Sequence, residues 1–141
     1  MTNYLATGRI RFRINYPILW YSKCQQTVET SKFSSELIAM KVCIEAIIHL
    51  RFKLRMFGVP IPPDRATHIF CDNESVVKNS SRIELVLNKK HNSLAYHFCR
   101  WAVAANIATV AWLPTDQNLA DAMTKMLTQQ RRDQLFGNWT Y

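Results

Sequence analysis

Acidic residues are scarce in this chain, and where they are missing says more than how many there are. The 141 residues hold 10 Asp and Glu against 18 Lys and Arg, a formal net charge of +8. None of the acids precedes Glu29, so the opening segment carries no carboxylate at all. Such an excess of cations draws a polyanion, nucleic acid or an acidic membrane face, but carries no information about fold. Glycine is equally sparse, with 3 in the chain, and neither GxGxxG nor GxxxxGK(S/T) occurs. That argues against a phosphate-cradling glycine loop. The 4 cysteines, Cys24, Cys43, Cys71 and Cys99, never form a CxxC pair, which argues against a zinc ribbon. Dispersed through apolar runs, they read as reduced core residues of an intracellular protein. No apolar run is long enough to span a membrane. The N-terminus carries Arg9, Arg11 and Arg13 in place of the apolar core of a secretory signal.

What is present is a globular composition, 48% apolar and 20% charged. The length suits one domain, residues 1–141, with 128–141 as its least defined part. Gly8 to Ile14 alternates strictly, with Ile10, Phe12 and Ile14 on one face and three arginines on the other, the signature of a half-buried strand. Asn15-Tyr16-Pro17 punctuates it, and Ile18 to Ser22 reads as the second strand of a hairpin. From Ser34 the period changes. Leu37, Met40, Ile44, Ile47 and Ile48 predict a long amphipathic helix, capped by Ser34 or Ser35 and stopped at Gly58-Val59-Pro60. Ala66–Cys71 predicts a buried strand ending in Asp72-Asn73, followed by a short helix from Glu74 to Asn79. Leu94–Ala105 predicts a helix whose apolar face is Leu94, Phe98, Trp101 and Ala105. Ile107–Leu113 predicts another buried strand, Pro114–Asn118 a turn and cap, and Leu119–Leu127 a further helix. Strands alternating with helices after an opening hairpin imply an α/β fold, a mixed sheet flanked by helices.

Three acids stand at suggestive places. Glu36 begins the long helix, Asp72 closes a buried strand, and Asp121 lies near the start of the helix after the last strand. Taken singly, each has an ordinary explanation: acids favour helix N-termini, and Asp-Asn after a strand is a common turn. Taken together, a strand end and two helix starts can converge on one edge of a sheet. Clustered carboxylates repel one another unless a divalent cation neutralises them. Magnesium is the natural occupant, and two such ions would activate water and stabilise the leaving oxygen in phosphodiester hydrolysis.

At this point a family resemblance emerges. The segments that carry it are Trp20-Tyr-Ser-Lys23 with Gln25/Gln26-Thr-Val28, Ser34-Ser-Glu-Leu-Ile-Ala39 and Ile69-Phe-Cys-Asp-Asn-Glu-Ser75. Lys90-His91 with Tyr96-His-Phe98 follows, then Leu113-Pro-Thr-Asp-Gln-Asn-Leu-Ala-Asp121 with Thr124-Lys125. In this order and spacing, over about residues 7–127, the chain resembles the ribonuclease H domain at the C-terminal end of a copia-type retrotransposon polyprotein. The resemblance implies a ribonuclease H-like fold and metal-dependent cleavage of the RNA strand of RNA–DNA hybrids. It implies Glu36, Asp72 and Asp121 as the catalytic, metal-binding acids for two Mg²⁺ ions, and a reverse transcriptase domain upstream in a longer polyprotein. In one respect the chain departs from that pattern. Such domains open on a strand bearing a first catalytic aspartate, whereas here nothing acidic precedes Glu29. Asn3 or Thr2 carries no charge to replace a bridging carboxylate. The expectation is a domain whose first strand is missing or replaced, with impaired nuclease activity. The alternatives are a non-enzymatic nucleic-acid-binding or polyprotein scaffold domain, and a fragment with no stable fold.

Basic residues suit such a partner. Arg51, Lys53 and Arg55 fall late in the long helix, and Lys89 and Lys90 precede the next predicted helix. Phosphate contacts supply most non-specific affinity for nucleic acid. Arg51 and Arg55 are explained equally well as cations complementing a helix C-terminus. Asn73 and Ser75, next to Asp72, are placed by the resemblance to touch RNA. Trp20, Phe70, Trp101 and Trp112 sit in apolar periodic runs and are expected in the core.

Overall fold

The computed structural model describes residues 2–7, 17–23, 32–62, 64–81, 93–120 and 126–137. Within them the architecture is mixed α/β. Strands β1 (Thr2–Thr7) and β2 (Pro17–Lys23) precede the long helix α1 (Lys32–Met56). Strand β3 (Thr67–Cys71), helices α2 (Glu74–Ser81) and α3 (Ser93–Ala104) and strand β4 (Ala108–Trp112) follow, and α4 (Gln129–Phe136) comes last. β1 and β2 pair antiparallel from Thr2↔Lys23 to Thr7↔Pro17, with an irregularity at Ala6/Thr7. β3 and β4 pair parallel, from Thr67↔Ala108 to Cys71↔Trp112, joined by the α2–α3 crossover. Among the described residues these are two separate two-stranded sheets.

A first strand is therefore present, at Thr2–Thr7, and it bears no carboxylate. It is the partner of the expected Ile18–Ser22 strand, which extends to Pro17–Lys23. The alternating Gly8–Ile14 segment lies outside the described residues.

Helix α1 is the frame. Leu37, Met40, Ile44 and Ile47 are buried along one stripe, with Cys43 beside them and Ile48 packed at its edge. Burying four such side chains contributes roughly 6–12 kcal/mol before conformational entropy is charged against it. The helix begins two residues before Ser34, which is itself fully buried. It ends in a Schellman motif: Val59 N–H donates to Leu54 O and Gly58 N–H to Arg55 O, with Gly58 at φ 76°. Helix α1 packs against β1 and α3, while α2 and α3 pack on each other and on β4. Asn106, at φ 55°, closes α3 in the same way, with Ile107 N–H donating to Ala102 O.

The inward face of α3 differs from the expected one. Ala95, Tyr96, Cys99 and Ala102 are buried, whereas Leu94 is 83% exposed and Trp101 52% exposed. The cause is close approach. Cys99 Sγ lies 4.0 Å from the Leu37 carbonyl oxygen, a separation that suits small side chains between two helices. Phe70 and Trp112 are likewise half exposed and not core, while the Trp20 side chain lies outside the described set. The helix expected over Leu119–Leu127 also does not reach its expected end. Thr115–Gln117 forms a 3₁₀ turn, Asn118 Oδ1 accepts from Ala120 N–H, and Met126–Thr128 is not helical. No helix among the described residues is long and apolar enough to cross a membrane.

Candidate metal and nucleic-acid site

Asp72 occupies the bend between β3 and α2, and its surroundings follow from the residues on either side. Alternation along β3 turns Ile69 and Cys71 into the core. Asn73 then caps α2, its Oδ1 accepting from Ser75 N–H at 3.1 Å and Val76 N–H at 3.4 Å. Asp72 is thus held between a buried strand end and a capped helix start, and is half-buried. Glu36 arrives from α1. Leu37 is fully buried, which fixes the helix's rotation and leaves Glu36 at the flank of the buried stripe. Because α1 starts at Lys32, Glu36 stands in its second turn and not its first.

These constraints bring Glu36 and Asp72 together. One carboxylate oxygen of each and the Cys71 sulfur all lie within 4.8 Å of one another. Two like charges at that separation repel by about 1 kcal/mol under water-like screening and by about 3 kcal/mol at an effective dielectric of about 20. A divalent cation removes that penalty. Mg²⁺ typically takes one or two carboxylates and fills its remaining positions with water, so Glu36 and Asp72 fit one such ion. Asp121, the third expected ligand, lies outside the described residues. Cys71 is the donor that sequence reasoning missed as a site residue. The available signal was its position immediately before Asp72 on an inward-facing strand register. Its sulfur adds a soft ligand to two hard ones.

The core behind the site is rich in thiols. Burial, and then the neighbouring Cys71, push the Cys43 thiol up to about 12. Burial dominates at Cys99 as well, which is also pushed up to about 12 although Lys41 pulls the other way. Both are inert, protonated thiols at neutral pH, as expected of packing residues.

The expected nucleic-acid ligands divide. The Arg51 guanidinium donates to Arg65 O at 2.7 Å, Thr67 Oγ1 at 3.1 Å and Pro62 O at 2.9 Å. It fastens the loop between α1 and β3 onto the helix, a structural task. Burial, with Arg55 nearby, holds its pKa below the ordinary value. Arg55 is exposed at the end of α1. Ser75 is exposed beside Asp72, while the Asn73 amide oxygen is committed to the cap. Lys89 and Lys90 lie outside the described residues.

Sequence comparison finds relatives among plant transposon polyproteins. The chain is 27% identical over 114 residues to the retrovirus-related Pol polyprotein from transposon TNT 1-94 of Nicotiana tabacum, covering 81% of this chain. It is 28% identical over 130 residues to the Pol polyprotein from transposon RE2 of Arabidopsis thaliana, and 27% over 128 residues to that from transposon RE1 of the same plant. Those alignments cover 90% of this chain in both cases. The chain is similar to a short segment of retrovirus-related Pol polyproteins. It spans only 8% to 9% of the length of these relatives. No protein-family model matches it, and no solved structure matches it.

Proposed function

We propose that this chain is a ribonuclease H-like module of a retrotransposon polyprotein, which binds a divalent cation between Glu36 and Asp72 and through it a nucleic-acid backbone. One observation carries the reading. Two carboxylates far apart in sequence, each assigned by the resemblance to the same metal site, meet within 4.8 Å at the end of a parallel strand. The likeness to transposon Pol polyproteins supports the same origin. Asp121 is assigned to this site as a third acid. The substrate class is an RNA–DNA hybrid, which is recognised through shape, phosphates and 2′-hydroxyls and needs no base-reading motif. The formal charge of +8 supplies the long-range attraction.

When bound, Mg²⁺ supplies Lewis-acid polarisation of a phosphoryl oxygen and acidifies a coordinated water. The protein's part is to hold the donors: α1 presents Glu36, and the capped α2 start presents Asp72. β1 carries no acid, and the two carboxylates that meet among the described residues suit one ion. The stronger property of such a site is cation-assisted binding, with hydrolysis impaired. The same absence of acids favours a second reading, a module that binds without cutting.

The test mixes the protein with a labelled hybrid, with and without Mg²⁺, and follows anisotropy and cleavage. Mg²⁺ is expected to tighten binding by the wild type, while Asp72→Asn loses that dependence together with any cleavage. Binding that ignores Mg²⁺ in both proteins would refute the cation site. Brisk cleavage that Asp72→Asn abolishes would refute the impairment alone.

A further inference from the structure

Trp112 ends β4 with its indole 53% exposed, a costly place for so large an apolar surface. In the parallel register it stands opposite Cys71, and therefore on the sheet face that carries Ile69 and Val110. Those two are buried, whereas at the strand end the face opens beside Asp72. The Trp112 Nε1 donates to the Asp72 backbone oxygen at 3.3 Å, and the next residue, Leu113, donates its N–H to Cys71 O at 3.0 Å. The polar edge of the ring is thus partnered and its orientation fixed across the bend that holds the site, leaving apolar ring surface to solvent. Trp112 does not merge with the other exposed aromatic of this sheet. Phe70 pairs with Ala111, one position earlier, and so projects from the opposite face. Among the described residues this is one oriented aromatic plane, hydrogen-bonded to the backbone of Asp72, and not an apolar patch continuous with Phe70.

We propose that Trp112 is a stacking platform for an unpaired nucleobase flanking the phosphate bound at Glu36 and Asp72. This rests on the nucleic-acid reading above and adds a preference to it: a strand with an unpaired base next to the held phosphate binds better than one without. Base–aromatic stacking tolerates any sequence, since every base has a π-face. It therefore suits a module with no base-reading motif, and cations elsewhere on the chain serve the backbone.

The chain labelled with 5-fluorotryptophan has 4 tryptophans and gives one ¹⁹F resonance for each, with Trp112→Phe identifying the resonance in question. Titration with single-stranded RNA is expected to shift that resonance by ring current, in step with binding measured by anisotropy. An oligonucleotide abasic beside the bound phosphate should bind about tenfold more weakly and leave the resonance in place. Trp112→Leu should lose about the same factor with intact RNA, while Trp112→Phe keeps most of the affinity. A Trp112 resonance that stays put at saturating RNA overturns the proposal whatever the variants do. If binding nonetheless remains Mg²⁺-dependent and is lost in Glu36→Gln, the cation site stands and only the platform falls. If neither Mg²⁺ nor Glu36→Gln matters, the underlying reading falls as well.

Discussion

Replacing Glu36 by Gln puts the cation site to a thermodynamic test that needs no substrate. In the absence of a divalent ion, Glu36 and Asp72 hold like charges within 4.8 Å. Their repulsion lies between about 1 and 3 kcal/mol, depending on how well solvent screens two half-buried groups. An opposing contribution comes from the α1 dipole, which favours an acid near the helix start by about 0.3–1 kcal/mol but fades beyond the first turn. Glu36 is in the second turn, where this contribution is small, and it makes further contacts within the fold, so the test is the Mg²⁺ shift within each protein and not the difference between the two in EDTA. At a concentration of about 100 times its Kd, the ion stabilises the wild type by about 2.7 kcal/mol through mass action. The Gln variant, with one carboxylate gone, should gain little. The assay is a pair of thermal melts, each protein in EDTA and in Mg²⁺. Equal Mg²⁺ shifts in the two proteins would refute the site.

Three further outcomes follow from the same geometry. Arg51→Ala removes hydrogen bonds to two loop carbonyls and to the Thr67 hydroxyl at the start of β3, and should cost about 1–2 kcal/mol in urea melts. It should leave the salt dependence of nucleic-acid binding unchanged, whereas Arg55→Ala lowers that slope by about one if it meets a phosphate. The Cys43 and Cys99 thiols, held protonated up to about 12, make stability depend on pH. Above about 9 the unfolded chain loses these protons and the folded one keeps them, so stability falls as pH rises from about 9 towards 12, by up to about 1.4 kcal/mol per pH unit for each thiol. Urea melts across that range should be flatter for Cys43→Ala than for the wild type. Finally, the Cys71 sulfur beside two carboxylates should let Cd²⁺ compete with Mg²⁺, displacing the thiol proton and producing a thiolate charge-transfer absorption in the ultraviolet. Cys71→Ser should abolish the band, and its persistence would place the metal elsewhere.

Helix α1 was legible in the sequence because one physical cause governs it. Leu37, Met40, Ile44 and Ile47 recur at helical spacing on a helix with one buried stripe, and size and burial agree. The strands β3 and β4 and the cap at Asn73 were legible for similarly local reasons: short apolar runs bounded by turn chemistry. Helix α3 carries two competing stripes one residue apart, and periodicity cannot choose between them. Leu94, Phe98 and Trp101 are the more hydrophobic, but Ala95, Cys99 and Ala102 are the ones that let α3 approach α1. Packing distance, a tertiary quantity, overrode hydrophobic rank. The aromatics Phe70 and Trp112 were misjudged for a related reason. A parallel pair is expected to be covered on both faces, yet the Phe70 face and the Trp112 end of this one are open. The element order allowed Glu36 and Asp72 to converge on one sheet edge and the resemblance implied that they do, but no local rule relates a helix turn to a strand end across an intervening loop. Cys71 entered the site for a simpler reason: the backbone that aims Asp72 outward at the bend also carries its neighbour's sulfur to the same place. A residue adjacent to a proposed ligand at a strand end is thus a candidate donor on geometry alone, even where its burial identifies it as core.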